Sequence, residues 1–182
     1  MRYFITLVVL VFSAFASLAT AEKRVALVIG NATYGHHASL PNVPGDAAAM
    51  GALFKAAKFD AVVVKENLGV AELRKTLREF SALAVGADMA VVYFAGHGIE
   101  VDRTNYLIPV DAKLAADIDV EDETVSLDRV LQLMEPAKHL RLVILDACRE
   151  NPFAGNIKHT VATRAIGRGL GRIEPATSNR RC

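Results

Sequence analysis

The segment Asp88–Ala95, with the sequence DMAVVYFA, is an almost continuous apolar run that ends at Gly96-His97-Gly98. Apolar runs of this kind suit a β-strand that is covered on both faces, as in a parallel sheet. Three similar runs occur elsewhere in the chain, namely RVALVI (24–29), FDAVVV (59–64) and LRLVIL (140–145). The sequence therefore predicts at least four strands of one mainly parallel sheet.

Helical patterns lie between these runs and favour helices on both faces of the sheet. Asp46 stands as a predicted N-cap before an Ala-rich stretch, and Ser126 stands before another predicted helix. The helical segments are 46–58, 70–85 and 126–134, with short extended pieces at 99–101 and 106–110 and an acidic loop at 111–123. The predicted fold is α/β, a three-layer α/β/α sandwich.

Polar residues follow the predicted strands where the chemistry of open α/β sheets collects, beyond the carboxyl ends. His97 follows the third strand, and Asp146-Ala147-Cys148 follows the fourth. A thiol becomes a useful nucleophile beside an imidazole base, and the N–H groups of Gly98 and Cys148 are natural donors to an oxyanion. Taken singly, a histidine at a strand end is most often a loop residue, and a lone cysteine is most often a small buried hydrophobe.

The two ends of the chain differ from its middle. Arg2, the apolar run 5–18 and Ala19-Thr20-Ala21 have the order of a signal peptide over residues 1–21, and a membrane anchor is the alternative. This predicts export to the periplasm or the medium, with no membrane span after cleavage. Residues 22–155 form the predicted catalytic domain, and residues 156–182 form a basic, flexible tail.

Charge and cysteine content narrow the classes of function. The formal net charge is +1, so nothing favours nucleic acid as a partner. The two cysteines are Cys148 and Cys182, and their placement favours a free thiol over a disulfide. The histidines lack zinc-ligand spacing, which predicts no metal site.

The ordered motifs carry a resemblance to a known family. VVYFAGHG (91–98) and VILDACR (143–149) resemble the caspase–metacaspase group of cysteine peptidases, and NYLIPVDA (105–112) and LDACRENPF (145–153) are similar to segments of bacterial caspase-domain proteins. In caspases the catalytic histidine precedes the cysteine by about 50 residues, and His97 and Cys148 have this spacing. The resemblance covers about residues 24–153, most of the chain.

The resemblance implies a Cys–His dyad in which Cys148 is the nucleophile and His97 the general acid/base. It also implies that Asp46 and Asp146 bind an Arg or Lys side chain of a protein or peptide substrate. Each acid has a structural alternative, since Asp46 can serve only as an N-cap and Asp146 can bind loop amides. No cofactor is implied. Some metacaspases use calcium, but the acidic run 117–123 lacks the pattern of an EF-hand.

Two other classes of function remain open, and so does the oligomeric state. One is a non-catalytic caspase-like module that binds peptides or partners. The other is a flavodoxin-like nucleotide binder, although Gly30-Asn31-Ala32 is no phosphate-binding fingerprint. The family fold continues with two strands after the cysteine, whereas residues 154–182 contain no strand pattern. We therefore expect the C-terminal strands to be missing and activity to be weak or absent without a partner.

Overall fold

The computed structural model describes residues 22–36, 38–147, 157 and 170–171. The expected signal peptide, Cys148 and nearly all of the tail lie outside the described residues. The segment to which the prediction of missing C-terminal strands applies also lies outside them, apart from residues 157, 170 and 171. Within the described part of the chain, no helix is both long and apolar enough to cross a bilayer.

A four-stranded parallel sheet forms the centre of the molecule. It consists of β1 (Arg24–Gly30), β2 (Ala61–Glu66), β3 (Met89–Gly96) and β7 (Leu140–Ala147), in the order β2-β1-β3-β7. A smaller antiparallel sheet contains β4 (Gly98–Val101), β5 (Thr104–Leu107) and β6 (Val125–Ser126). The four apolar runs of the sequence are thus the four parallel strands, as predicted.

Helices cover the parallel sheet on both faces, which confirms the three-layer prediction. The helices of the described chain are α1 (Val43–Ala56), α2 (Val70–Ala84), α3 (Asp119–Glu123) and α4 (Leu127–Leu133), and α1, α2 and α4 pack against this sheet. The α1 residues Ala47 and Phe54 pack on one face. On the other face, Leu77 of α2 and Val130 of α4 belong to a larger apolar cluster. Burial of these faces is the main force that holds the layers together.

Two local predictions were wrong. Helix α1 begins at Val43 with Asn42 as N-cap, so Asp46 lies in the first turn and is not the cap. Pro44 explains the early start, because its fixed φ angle suits the first turn of a helix. The acidic stretch 111–123, expected to be a loop, contains the short helix α3. Asp119 accepts hydrogen bonds from two backbone N–H groups before that helix.

The contact between the end of β1 and α1 leaves no room for a side chain at Gly30. A Cβ there would lie 2.8 Å from Cβ of Ala47, which moves only with the helix backbone. Gly30→Ala is therefore expected to lower the free energy of unfolding by about 1–3 kcal/mol, measured by urea denaturation. Gly45→Ala in α1 is the control, since nothing lies within 4 Å. A Gly30→Ala protein as stable as wild type would contradict this account of the packing.

Candidate active site

The register of β3 and β7 sets the geometry of the site. The strands pair in parallel, with Ala95 opposite Asp146 and Gly96 opposite Ala147. These two strands are therefore neighbours in the sheet. His97 follows Gly96 directly, and Cys148 follows Ala147 in the sequence but lies outside the described residues.

His97 is buried and held by the loop that precedes α1. Its side chain and backbone together are only 4% exposed. The backbone N–H donates to the Tyr34 hydroxyl oxygen over 2.8 Å, and the Tyr34 ring lies 4.5 Å from the imidazole, centroid to centroid. The imidazole Nε2 lies 3.3 Å from the carbonyl oxygen of Ala38. These contacts fix both the position and the orientation of the ring.

Burial changes the acid–base behaviour of His97. Desolvation disfavours the charged imidazolium and lowers the pKa of His97 below its usual value of 6.5, while the hydrogen bond to the Ala38 carbonyl opposes part of this shift. A carbonyl oxygen can only accept, so this bond assigns the proton to Nε2. In the neutral ring, the lone pair is then on Nδ1.

Gly96 and Gly98 both have close neighbours. A Cβ on Gly96 would lie 2.7 Å from the Tyr34 hydroxyl oxygen, and one on Gly98 would lie 2.5 Å from Cδ2 of Leu170. Gly171, the next residue, donates from its N–H to Oδ1 of Asn105 over 2.6 Å. The space beside Gly96 is therefore occupied by Tyr34. Leu170 lies against Gly98.

The two candidate specificity residues, separated by 100 positions in the chain, lie in one pocket. Asp46 in α1 and Asp146 in β7 both line a cavity of about 230 Å³, whose other walls are Leu40, Pro41, Asn42, Val43 and Ala147. Strand alternation explains the placement of Asp146. Ile144, two residues earlier, packs into the cluster beneath α1, so Asp146 is on the same face of the sheet. The structure therefore brings both acids to one concave site.

Tyr93 is a residue of this site that the sequence interpretation missed. Its hydroxyl donates to Oδ2 of Asp146 over 2.8 Å. Burial, this hydrogen bond, and the negative charges of Asp146 and Asp46 together raise the pKa of Tyr93 well above its usual value of 10. The alternation of side chains along a strand could have indicated this residue. Tyr93 is opposite Ile144, so it is the diagonal neighbour of Asp146 on the same face of the sheet. This bond is to a side chain, whereas the loop that follows β7 lies outside the described residues.

Among the residues that the structure describes, no group of three or more His, Cys, Asp or Glu side chains is arranged to hold a metal ion. In the acidic stretch in and before α3, carboxylates accept hydrogen bonds from nearby backbone N–H groups. Asp119 binds the N–H groups of residues 115 and 116, and Glu123 Oε2 accepts from the N–H of Lys113 over 3.2 Å. These bonds give the acidic residues a structural use.

Comparisons with known proteins agree with this architecture. The family described as "Caspase domain" (Peptidase C14) matches residues 23–177, most of the chain. The chain is 30% identical over 131 residues to the human (Homo sapiens) mucosa-associated lymphoid tissue lymphoma translocation protein 1, and 29% identical to its mouse (Mus musculus) homolog. The alignment covers 71% of this chain but only 15% of each relative. The match over most of its length shows that this chain belongs to the caspase-domain family of peptidases.

Proposed function

We propose that this protein is a cysteine endopeptidase that cleaves peptide bonds after Arg or Lys, with Cys148 as nucleophile and His97 as general acid/base. The observation that carries the proposal is the parallel register of β3 and β7, in which Gly96 is opposite Ala147. Each of these residues immediately precedes one member of the dyad. Parallel strands present their carboxyl ends at the same edge of a sheet, so the pairing supports a dyad at that edge.

In the first step, Nδ1 of neutral His97 takes the proton of the Cys148 thiol. The thiolate sulfur then attacks the carbonyl carbon of the scissile peptide bond, and the carbonyl oxygen becomes an oxyanion. The N–H groups of Gly98 and Cys148 stabilise that charge. A substrate that approaches Gly98 on the side covered by Leu170 has to displace this side chain.

In the second step, the imidazolium of His97 returns its proton to the leaving amine nitrogen as the C–N bond breaks. This step leaves a thioester between Cys148 and the carboxyl side of the substrate. Water, deprotonated by His97, then attacks the thioester carbon and releases the acid and the free thiol. The lowered pKa of His97 supports these roles, because it keeps the imidazole neutral and able to accept a proton near neutral pH.

The preference for a basic residue is supported by the pocket of Asp46 and Asp146. Two carboxylates on one small concave surface favour a guanidinium or ammonium group, and a bidentate Arg–carboxylate pair adds geometric selectivity. The Tyr93 hydroxyl binds one oxygen of Asp146, which orients this carboxylate while its other oxygen remains available as an acceptor. The proposed partners are accordingly proteins or peptides with exposed Arg or Lys residues.

An electrophilic probe tests the nucleophile directly. We expect a peptide acyloxymethyl ketone with Arg next to the warhead to form a single adduct, located on Cys148 by tandem mass spectrometry, because the thiolate displaces the carboxylate leaving group. Cys148→Ala should abolish the adduct. Cys182→Ala is the matched control and should be modified as wild type is. An unmodified wild-type protein would favour the non-catalytic, peptide-binding alternative, and an adduct that persists in Cys148→Ala would exclude Cys148 as the nucleophile.

A further inference from the structure

A second cavity, of about 440 Å³, lies between helices α2 and α4 and the small antiparallel sheet. It shares no residue with the pocket of Asp46 and Asp146. Its lining residues are Arg74, Leu77, Arg78, Thr104, Tyr106, Glu121, Thr124, Val125, Ser126, Arg129 and Leu133. The volume falls in the range of small-molecule sites, which is about 300–1,000 Å³. None of the peptidase roles proposed above uses this cavity.

Positive charge dominates the walls of this cavity. Arg74 and Arg78 are four residues apart on α2 and therefore lie on the same face of the helix. Arg129 contributes a third guanidinium from α4, and among the described residues of the lining Glu121 is the one carboxylate. Three guanidinium groups against one carboxylate leave an excess of positive charge in a concave surface, where its field is focused on a bound ligand.

The arginines are partly fixed in place, yet they keep donors for a ligand. Arg74 Nη2 lies 2.8 Å from the carbonyl oxygen of Asp122, with the Glu121 and Thr124 carbonyl oxygens each at 3.2 Å. Arg129 donates from Nη1 to the Gln132 side chain. A guanidinium carries five N–H donors, so these bonds leave several unused on each residue. Such fixed groups lose little side-chain entropy when a ligand binds.

Arg78 differs from these two arginines. Within the part of the chain that the structure describes, its side chain forms no hydrogen bond or ion pair. It lines the cavity from an exposed position on α2. Its guanidinium donors are therefore available to an anionic ligand.

The base of the cavity is apolar and its sides carry hydroxyl groups. Leu77 and Val125 are buried, and Leu133 packs against the same cluster. Thr104 and Ser126 add hydroxyls. Ser126 Oγ accepts the N–H of the residue three positions later as an N-cap, so its own O–H can still donate. A ligand that fits therefore has an apolar body together with an anionic group that accepts many hydrogen bonds.

We propose that this cavity binds a small molecule in which a phosphate monoester is attached to an apolar or aromatic body of mononucleotide size. Phosphate matches the walls better than a carboxylate does, because its three terminal oxygens can accept from several guanidinium and hydroxyl donors together. The body would cover Leu77, Val125 and Leu133. The same chemistry occurs in nucleoside monophosphates and in aryl phosphates.

Isothermal titration calorimetry on the full chain tests this proposal with adenosine monophosphate, phenyl phosphate and adenosine. We expect at least one phosphate ester to bind with a Kd between about 10 µM and 1 mM, and adenosine to bind at least about tenfold more weakly than its monophosphate. The Kd values of the two esters show whether the cavity prefers a nucleotide or a simple aryl phosphate. Binding by neither ester, or equal binding of adenosine and its monophosphate, would overturn the proposal.

A double variant, Arg78→Gln with Arg129→Gln, tests whether the phosphate ester binds in this cavity. Both side chains are exposed, so the fold should persist, which circular dichroism and thermal melting would check. The Kd of the tighter ester should rise by about tenfold or more, since two charge-assisted contacts are lost. Arg141→Gln, which removes an exposed arginine of β7 outside the cavity, is the control and should leave the Kd unchanged. An unchanged Kd in the double variant would refute the site.

Discussion

His97→Ala is expected to lower kcat/KM for an Arg-containing fluorogenic peptide by about 10²- to 10⁴-fold, the usual contribution of a general acid/base. The physical reason is the loss of Nδ1, the atom proposed to take the thiol proton and to return it to the leaving amine. Without it, no imidazole removes the thiol proton, and the amine leaves unprotonated. The measurement is steady-state kinetics on purified protein at pH 7.5.

A second histidine provides the control for this variant. His139 lies at the opposite, amino-terminal side of β7, where its exposed side chain contacts Asp88. His139→Ala should leave kcat/KM unchanged. Because His97 is buried, both variants also need circular dichroism and thermal melting to show that they fold. A folded His97→Ala protein with wild-type kcat/KM would rule out the dyad.

Asp146→Asn is expected to remove most of the preference for Arg over citrulline, its neutral isostere, at the residue before the scissile bond. The wild-type protein should favour Arg by at least about tenfold, because a charge-assisted pair in a partly enclosed pocket is stronger than a neutral hydrogen bond. In Asp146→Asn, the ratio of kcat/KM values should fall toward one. Matched fluorogenic peptides that differ only in this residue give the measurement.

Two further variants separate charge from orientation in this pocket. Asp46→Asn should also reduce this ratio, because it removes the second carboxylate that lines the pocket. Tyr93→Phe keeps both carboxylates but removes the hydrogen bond to Asp146, so it should weaken the preference without abolishing it. A wild-type preference for Asp over Arg, or a ratio that none of the three substitutions alters, would contradict the assignment of the pocket.

Local patterns were sufficient to predict the main elements of the fold. Four apolar runs became four parallel strands, and the amphipathic stretch at 70–85 became α2 with nearly the predicted ends. Such patterns are reliable because a strand buried on both faces requires consecutive apolar residues, and a helix buried on one face requires apolar residues at helical spacing. Helix boundaries were less reliable. Helix α1 starts at Val43 because Pro44 suits the first turn, and this local signal outweighs Asp46 as an N-cap.

Several features of the candidate site required the tertiary structure. Nothing in the sequence shows that β7 pairs with β3 in the register that places Asp146 opposite Ala95. The pocket shared by Asp46 and Asp146 depends on how α1 packs on the sheet, and the bond from Tyr93 to Asp146 depends on that register as well. The arginine-lined cavity likewise joins residues of two helices and a separate sheet.

The sequence by itself therefore determined the class of fold, the strands, and which residues follow their carboxyl ends. It also carried the motifs by which the chain resembles caspase-domain peptidases. Only the tertiary structure decided which of these residues lie together. It also decided that the Tyr93 hydroxyl binds the carboxylate of Asp146. The physical reason is that strand formation follows from the polarity of neighbouring residues, whereas register and helix packing depend on the fit between side chains distant in the chain.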